Sequence, residues 1–324
     1  MYSVVVKKYG EPDVLQYIKT NSEKIGSKLV KIKVHSCGVN FADILTIKGR
    51  YQERPRPPFS PGLEVSGEII DLGKDVSEHK IGDLVMSIMK YGGYKSEIVV
   101  PSENTYKIPS MMPLDIAAGF PVTYGTAYSA LANSAKIKRG ETCLVLGATG
   151  GVGIATVEIA RALGAKVIAC GGSDSKLKSC LAKGADHIIN YKDKILRNEL
   201  AKLNIKEVDV VIDMIGGQYA MDSVKSLKWN GRFVVVGFAS GNIPNIPANR
   251  LLLKNASAIG LYWGELAYRE PSSIKRDFLI LEELYKKKLL QPKNHRIFKL
   301  ENASEALKYL QERKNVGKIV LRVN

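Results

Sequence analysis

The segment from Leu146 to Gly153, which reads Leu-Gly-Ala-Thr-Gly-Gly-Val-Gly, carries the clearest chemical signal of the chain. Glycines let a backbone turn tightly beside a pyrophosphate, and a helix that starts there directs free N–H groups at that anion. Ala148 stands where the G-x-G-x-x-G pattern has its first glycine, so the motif alone is weak. A purely structural turn is the alternative. We interpret the segment as a dinucleotide-binding loop whose candidate cofactor contacts are Gly147, Gly150, Gly151, Val152 and Gly153.

The segment after the next expected strand bears on the type of cofactor. An NAD site places Asp or Glu there to bind the ribose 2′-hydroxyl, whereas this chain has the run Cys-Gly-Gly-Ser-Asp-Ser-Lys over 170–176. Ser173 can donate a hydrogen bond to a 2′-phosphate and Lys176 brings a positive charge, so we expect NADPH. Asp174 argues against this preference, since it would repel the phosphate. The alternative is that Ser173 only caps a helix and Lys176 is only solvated.

The elements around these residues follow the pattern of a parallel sheet. From about residue 120, apolar runs such as Thr142–Leu146 and Val208–Asp213 alternate with helical patterns such as Gly151–Leu163. Strands alternating with helices of about ten residues indicate βαβ units, and right-handed crossovers then give a doubly wound sheet. We expect this α/β Rossmann domain over 120–263, with a last strand, Ala256–Tyr262, at its edge.

The remainder of the chain is rich in short strands. Before residue 120, runs such as Val30–Val34 and Glu64–Asp71 are separated by Gly and Pro clusters, which predicts a small antiparallel barrel. After residue 264 an amphipathic helix, two strands and a further helix have no βαβ repeat to join, and we expect them to return to the barrel. The first domain is therefore predicted as 1–119 plus 264–324, with 120–263 inserted.

The composition is that of a folded protein with a strong positive charge. The 324 residues are 45% hydrophobic, and 48 Lys and Arg against 32 Asp and Glu give a net charge of +16. The basic residues are scattered and mostly lysine, which disfavours a nucleic-acid partner but leaves it open. The four cysteines form no C-x-x-C pair, which suits a reducing compartment. We find no long apolar run and no signal peptide, and expect a cytoplasmic protein without a membrane partner.

Further motifs are spread along essentially the whole chain. They are Val-His-Ser-Cys-Gly-Val-Asn-Phe-Ala-Asp at 34–43, Gly-Arg-Tyr at 49–51, Pro-Gly-Leu-Glu-Val-Ser-Gly at 61–67, Gly-Gly-Tyr at 92–94 with Glu97, Gly-Leu-Tyr-Trp-Gly at 260–264 and Gly-Lys-Ile-Val at 317–320. Together they resemble the zinc-independent, ζ-crystallin-like quinone oxidoreductases of the medium-chain dehydrogenase/reductase superfamily. The resemblance implies a Rossmann domain inserted in a GroES-like antiparallel β-barrel domain.

The resemblance also implies roles near the reacting atoms. Asn40 would hydrogen-bond the acceptor oxygen, Asp43 would lie near the nicotinamide, and Tyr51 would form a wall of the substrate pocket. Thr126 is similar to a substrate contact of the family. Three of these residues have a structural alternative: Asn40 in a turn, Asp43 as a helix cap or ion-pair partner, and Tyr51 as a packing aromatic.

Four further cofactor contacts follow from the same resemblance. Tyr128 is similar to a cofactor contact that follows Thr126, and Tyr191 to a residue near the 2′-phosphate. Phe238 and Ser240 correspond to the family's loop on the nicotinamide side. Tyr191 has the alternative of an exposed residue at a strand end.

The resemblance bears on metal chemistry as well. Zinc-dependent relatives carry a Cys where this chain has Asn40, a His where it has Leu63, and a third ligand near Ala118. These three side chains cannot form the shell of a catalytic zinc ion, so no metal site is expected.

Without a Lewis acid, we expect hydride transfer from NADPH to an electron-poor acceptor that supplies its own electron sink. Quinones are the first candidates, and enones, 2-alkenals or enoyl thioesters are the alternatives. A nucleotide- or RNA-binding protein with little catalysis is the alternative from another class. The family further implies a homodimer paired through the edge strand Ala256–Tyr262.

Overall fold

The computed structural model describes residues 1–323. The strands are β1 Tyr2–Val6, β2 Leu15–Lys19, β3 Leu29–Val39, β4 Glu64–Leu72, β5 Leu84–Ile88, β6 Glu97–Pro101, β7 Thr105–Lys107, β8 Thr142–Leu146, β9 Lys166–Gly171, β10 His187–Asn190, β11 Val208–Asp213, β12 Leu227–Val235, β13 Ser257–Gly260, β14 Asn294–Lys299 and β15 Lys318–Arg322. The helices are α1 Phe41–Ile47, α2 Leu114–Ala117, α3 Phe120–Tyr128, α4 Gly151–Ala162, α5 Asp174–Ala182, α6 Leu196–Lys202, α7 Gly217–Lys225, α8 Ala248–Leu252, α9 Trp263–Arg269, α10 Pro271–Lys286 and α11 Ala303–Gln311.

The chain packs as two compact units. The first consists of Met1–Val122, Leu266–Lys275 and Pro292–Asn324, and the second of Thr123–Glu265 and Arg276–Gln291. Most of α10 therefore groups with the second unit. The predicted domain limits, 1–119 plus 264–324 and 120–263, stay a prediction.

The first unit is built on a seven-stranded sheet in the order β14-β15-β3-β4-β5-β7, with β6 also paired to β3. Its pairs are antiparallel except β14 with β15, which run parallel because α11 connects them. The strands β14 and β15 with α11 thus return to the first unit, as predicted, and add one βαβ unit to its sheet, whereas most of the amphipathic helix α10 does not. The apolar sides of β3, β4 and β5 form the core with Ile32, Val65 and Val85, all fully buried.

The second unit is a six-stranded sheet in the order β10-β9-β8-β11-β12-β13. Every pair in it is parallel, and β13 lies at one edge, so the predicted doubly wound parallel sheet is confirmed. The strand β8 is continuous in apolar residues and almost wholly buried, as expected for a strand covered on both faces. From β8 the strand order runs outward through β9 to β10, and from β11 it runs the other way through β12 to β13. Ligands of such folds bind at the carboxyl ends of the strands where the order changes, which here is between β8 and β11.

None of the helices within residues 1–323 is long and apolar enough to cross a membrane.

Candidate active site

The first unit changes from strand to helix at Asn40. This residue follows β3 in an extended conformation, with φ −127° and ψ 152°, and occupies the N-cap of α1. Its backbone N–H donates to Asp43 Oδ2 at 2.8 Å, so the carboxylate three residues into the helix satisfies a group that the helix leaves open. The local sequence therefore fixes the start of α1 at Asn40.

Asp43 is fully buried beneath this turn. Besides the Asn40 N–H, its carboxyl group accepts the hydroxyl of Tyr94 at 2.9 Å and the N–H of Gly62 at 3.2 Å. Burial nevertheless raises the pKa of Asp43 to about 7, because the cost of desolvating the charged form exceeds the gain from these donors. The predicted nicotinamide-side residue is thus enclosed by protein groups, and its role in the reaction stays a prediction.

The Asn40 side chain belongs to a buried polar cluster with Glu64 and Lys318. Its Nδ2 donates to Glu64 Oε1 at 2.9 Å, and its Oδ1 accepts from Lys318 Nζ at 2.6 Å. Lys318 Nζ also donates to Glu64 Oε1 at 2.5 Å, and the N–H of Val122 donates to Glu64 Oε2 at 2.8 Å. Each oxygen of Glu64 acts as an acceptor, which matches an ionised carboxylate paired with an ammonium group.

Two glycines leave the space for this cluster. A Cβ on Gly38 would lie 2.3 Å from Glu64 Oε1 and 2.5 Å from the carbonyl oxygen of Ala118. A Cβ on Gly119 would lie 2.5 Å from Lys318 Cγ. The chain therefore has no side chain at the two positions where the charged pair approaches the backbone.

Tyr51 follows α1 in the same unit and is partly exposed. Its carbonyl oxygen accepts from Arg54 Nε at 3.3 Å. A position in a substrate wall stays a prediction for this residue.

The predicted nucleotide loop in the second unit connects β8 to α4. Gly147 adopts φ +79°, a conformation that favours glycine, and Gly150 is the N-cap of α4. Gly151, Val152 and Gly153 form the first turn. A Cβ on Gly153 would lie 2.2 Å from the carbonyl oxygen of Gly147, so the helix packs on the loop only with glycine there.

The turn after β9 brings together the residues predicted near a 2′-phosphate. Ser173 is the N-cap of α5, and its Oγ lies 3.0 Å from Ser175 Oγ rather than bonding the helix backbone. Asn190 Nδ2 donates to Asp174 Oδ2 at 2.9 Å. The Asp174 carboxylate, which would repel a 2′-phosphate, therefore has a hydrogen-bond donor beside it. Lys176 is partly buried, and desolvation lowers its pKa.

Tyr191 is buried and not an exposed strand-end residue. Its ring stacks on Tyr219 with centroids 4.0 Å apart. A Cβ on Gly172 would lie 3.9 Å from Tyr191 Cε2, so the ring borders the turn after β9. The structure thus groups Tyr191 with Ser173 and Lys176 in one region of the second unit.

Phe238 and Ser240 lie in the loop after β12, beside the loop after β11. The Ser240 N–H donates to the carbonyl oxygen of Ile215 at 3.0 Å, and a Cβ on Gly216 would lie 3.1 Å from Phe238 Cδ1. Asp213, which ends β11, holds the turn by accepting the N–H groups of Ile215 and Gly216 at 2.8 and 2.9 Å. Both loops emerge at the carboxyl edge of the sheet, where a nucleotide is expected.

Thr126 and Tyr128 lie in the final turn of α3, in the second unit, and both are buried. Gly125 packs directly on Trp263, because a Cβ there would lie 2.3 Å from the indole ring. These contacts fix the end of α3, while the substrate and cofactor roles of Thr126 and Tyr128 stay predictions.

Sequence reasoning assigned no role to Glu64 or Lys318, although both lie in motifs that carried the resemblance. A partial signal was present, since each is a charged residue that opens a strand, β4 or β15, directly before an apolar residue. Charged side chains are almost never fully buried without a partner, so two such positions imply a pair.

Two family profiles match the chain. Residues 26–110 match the profile described as the alcohol dehydrogenase GroES-like domain, and residues 151–277 match the profile described as zinc-binding dehydrogenase.

Individual relatives agree with these profiles. Quinone oxidoreductase-like protein 2 of Mus musculus is 41% identical over 299 residues, which cover 92% of this chain and 85% of the relative. The crystal structure of Escherichia coli quinone oxidoreductase complexed with NADPH superposes with a TM-score of 0.93 at 25% identity, over 99% of this chain and 100% of that one.

A solved enoyl reductase, CurK, superposes with a TM-score of 0.89 at 27% identity, over 100% of this chain and 99% of that one. The profiles, the identity over nearly the whole length and the shared fold point to the same group of proteins. The chain is an oxidoreductase of the medium-chain dehydrogenase/reductase superfamily and belongs to its quinone oxidoreductase-like proteins.

Proposed function

We propose that the protein is a zinc-independent, NADPH-dependent reductase that transfers a hydride to electron-poor acceptors, with quinones as the first candidates. The observation that carries this proposal is the engagement of Asn40. Its Oδ1 and the Oε1 of Glu64 both accept from the Lys318 ammonium, at 2.6 and 2.5 Å. Oxygens held by a cation do not suit a second cation, and Leu63 and Ala118 offer no metal-binding side chain. The residues present therefore do not fit a catalytic zinc ion.

The residues of the second unit fit a dinucleotide. Gly147, with φ +79°, and Gly153, whose Cβ position is filled by the Gly147 carbonyl, give the close loop-to-helix geometry that a pyrophosphate needs. Ser173 and Lys176 would hold a 2′-phosphate, and Asn190 partners Asp174 nearby. The E. coli structure that superposes on this chain is complexed with NADPH, which supports the same cofactor here.

Bound NADPH would supply a hydride to the acceptor, whose oxygen then gains a proton from solvent or a protein group. The chain's own contribution is to bind, to orient and to stabilise the charge that grows on that oxygen. The Asn40 amide is the group that we propose for this stabilisation, because it is a buried polar group and the residue keeps 8% of its surface exposed.

An enoyl or enone reductase is a second candidate. The similarity to the CurK enoyl reductase favours it, because both chains share the fold over nearly their entire length. A quinone and an enone both present a carbonyl oxygen conjugated to the hydride-accepting position, so the Asn40 amide would serve either.

The test is a steady-state comparison of acceptors with NADPH and with NADH. The purified protein is assayed with a benzoquinone, a 2-alkenal and a crotonyl thioester, before and after treatment with a metal chelator. We expect NADPH oxidation with the quinone at an unchanged rate after chelation. Faster turnover of an enoyl substrate than of any quinone would favour the second candidate, and absence of turnover with every acceptor would contradict both.

A further inference from the structure

The strongest unassigned feature is the buried charged pair Glu64–Lys318 in the first unit. Glu64 is fully buried and Lys318 is 7% exposed, and the two residues lie 254 positions apart in the chain. A buried ion pair is weak evidence for stability, since an apolar replacement of similar volume often serves the fold as well. The pair therefore calls for a reason beyond folding, and its contacts with Asn40 give one.

The contacts determine which way the Asn40 amide points. An ammonium group has only donors, so the atom 2.6 Å from Lys318 Nζ has to be the Asn40 oxygen. An ionised carboxylate has only acceptors, so the atom 2.9 Å from Glu64 Oε1 has to be the Asn40 nitrogen. The opposite orientation would place NH₂ against NH₃⁺ and oxygen against carboxylate.

The same contacts decide what Asn40 can offer a ligand. Its oxygen is occupied by Lys318, and one of its two N–H groups is occupied by Glu64. Within residues 1–323, the hydrogen bonds of the Asn40 side chain go to Glu64 and Lys318, which leaves its second N–H without a protein acceptor. The amide can therefore act toward a ligand as a hydrogen-bond donor.

We propose that Glu64 and Lys318 are positioning residues that lock the Asn40 amide with its second N–H presented to the acceptor oxygen of the substrate. A donor held in place before the reaction stabilises charge that develops on that oxygen, without reorganisation during the step. Without the lock, the amide could turn its oxygen toward the substrate and repel the growing charge. This inference rests on the proposed function for the identity of the acceptor.

The kinetic test is a double-mutant cycle between the pair and Asn40. Because Lys318→Met alone leaves a buried charge unpaired, both charges are removed together in the variant Glu64→Gln/Lys318→Met. We expect kcat with the quinone to fall about tenfold in this variant and about a hundredfold in Asn40→Ala, with the NADPH dissociation constant unchanged. The triple variant should match Asn40→Ala, because the pair acts only through the amide.

The matched control is Arg322→Met, which removes an exposed ion pair with Asp115 from the same strand β15 and should leave kcat unchanged. Wild-type kcat in the paired variant would overturn the proposal. So would a loss in the triple variant equal to the product of the separate losses, which indicates a structural effect independent of Asn40.

A second measurement needs no turnover, so it separates this proposal from the proposed function. In ¹⁵N-labelled wild-type protein, the two Asn40 amide protons should exchange with solvent at clearly different rates, the one bound to Glu64 being protected. In Glu64→Gln/Lys318→Met the difference should shrink about tenfold, as the amide gains freedom to flip. Equal exchange of both protons in the wild type would contradict the lock, whether or not the protein reduces any acceptor.

Discussion

The two regions that we propose for function are built in opposite ways. In the second unit, the loop around Gly147 and Gly153 works through backbone shape and the absence of side chains. In the first unit, the site works through charged side chains, Glu64 and Lys318, that are buried and mutually paired. The loop is a local structure that a short segment encodes, whereas the polar cluster exists only after distant strands have paired. The two regions should therefore respond differently to mutation, to cofactor and to pH.

The largest effect is expected for Lys318→Met. It leaves the Glu64 carboxylate buried without its counter-charge, and the free energy of unfolding should fall by about 3–5 kcal/mol. Arg322→Met should cost at most about 1 kcal/mol, because the pair of Arg322 with Asp115 is exposed. Chemical denaturation of both variants measures the difference. Equal losses would mean that the buried pair of Glu64 and Lys318 contributes no more to the free energy of unfolding than an exposed ion pair does.

A smaller loss of stability is expected in the loop for Gly153→Ala. The new Cβ would lie 2.2 Å from a backbone carbonyl, so the loop and α4 have to separate, at about 2–3 kcal/mol. NADPH affinity should fall in parallel, as measured by fluorescence titration. Gly260→Ala is the control, because no atom lies within 4 Å of its Cβ position. Unchanged NADPH affinity in Gly153→Ala would remove the loop from the proposed cofactor site.

Lys176→Ala tests the cofactor preference without disturbing the fold. Removing a charged donor from a 2′-phosphate should weaken NADPH binding about tenfold and leave NADH binding nearly unchanged. Lys178→Ala, an exposed lysine on the same helix, should change neither. A matching loss for NADH and NADPH would show that Lys176 does not contact the 2′-phosphate.

The two regions should also differ in how their stability depends on pH. The folded-state pKa of Asp43, about 7, lies above its ordinary value of 3.8, so the folded protein holds a proton that the unfolded chain releases. This contribution is present at low pH and is lost as the pH rises, by at most about 1.4 kcal/mol per pH unit between pH 4 and 7. Stability should therefore decline less steeply over this range in Asp43→Asn than in the wild type. Parallel stability curves for the two proteins would contradict the raised pKa.

The sequence was sufficient for the second unit because its signals are local. The apolar run at β8, the glycines after it and the helical pattern that follows are contiguous, and together they predicted strand, loop and helix to within a few residues. Tyr191 shows the limit of such signals. Its position after a strand could be predicted, but its stacking on Tyr219 depends on the packing of another part of the chain.

The polar cluster could not be predicted from spacing. Asn40 and Lys318 are 278 positions apart and meet because β15 pairs with β3, placing Ile319 opposite Val39. Local patterns predict that β15 exists, but they do not give its pairing register. The helix α1 was also missed, because seven residues are too few for a clear helical period, and its N-cap and capping carboxylate were interpreted as separate residues.

We propose above that the protein transfers a hydride without a metal, assisted by the amide of Asn40. The most direct test of this proposal is the rate of NADPH oxidation with a quinone by chelator-treated wild-type protein beside Asn40→Ala. We expect an undiminished wild-type rate after chelation and about a hundredfold lower rate for the variant. Loss of the wild-type rate on chelation, or equal rates for the two proteins, would contradict it.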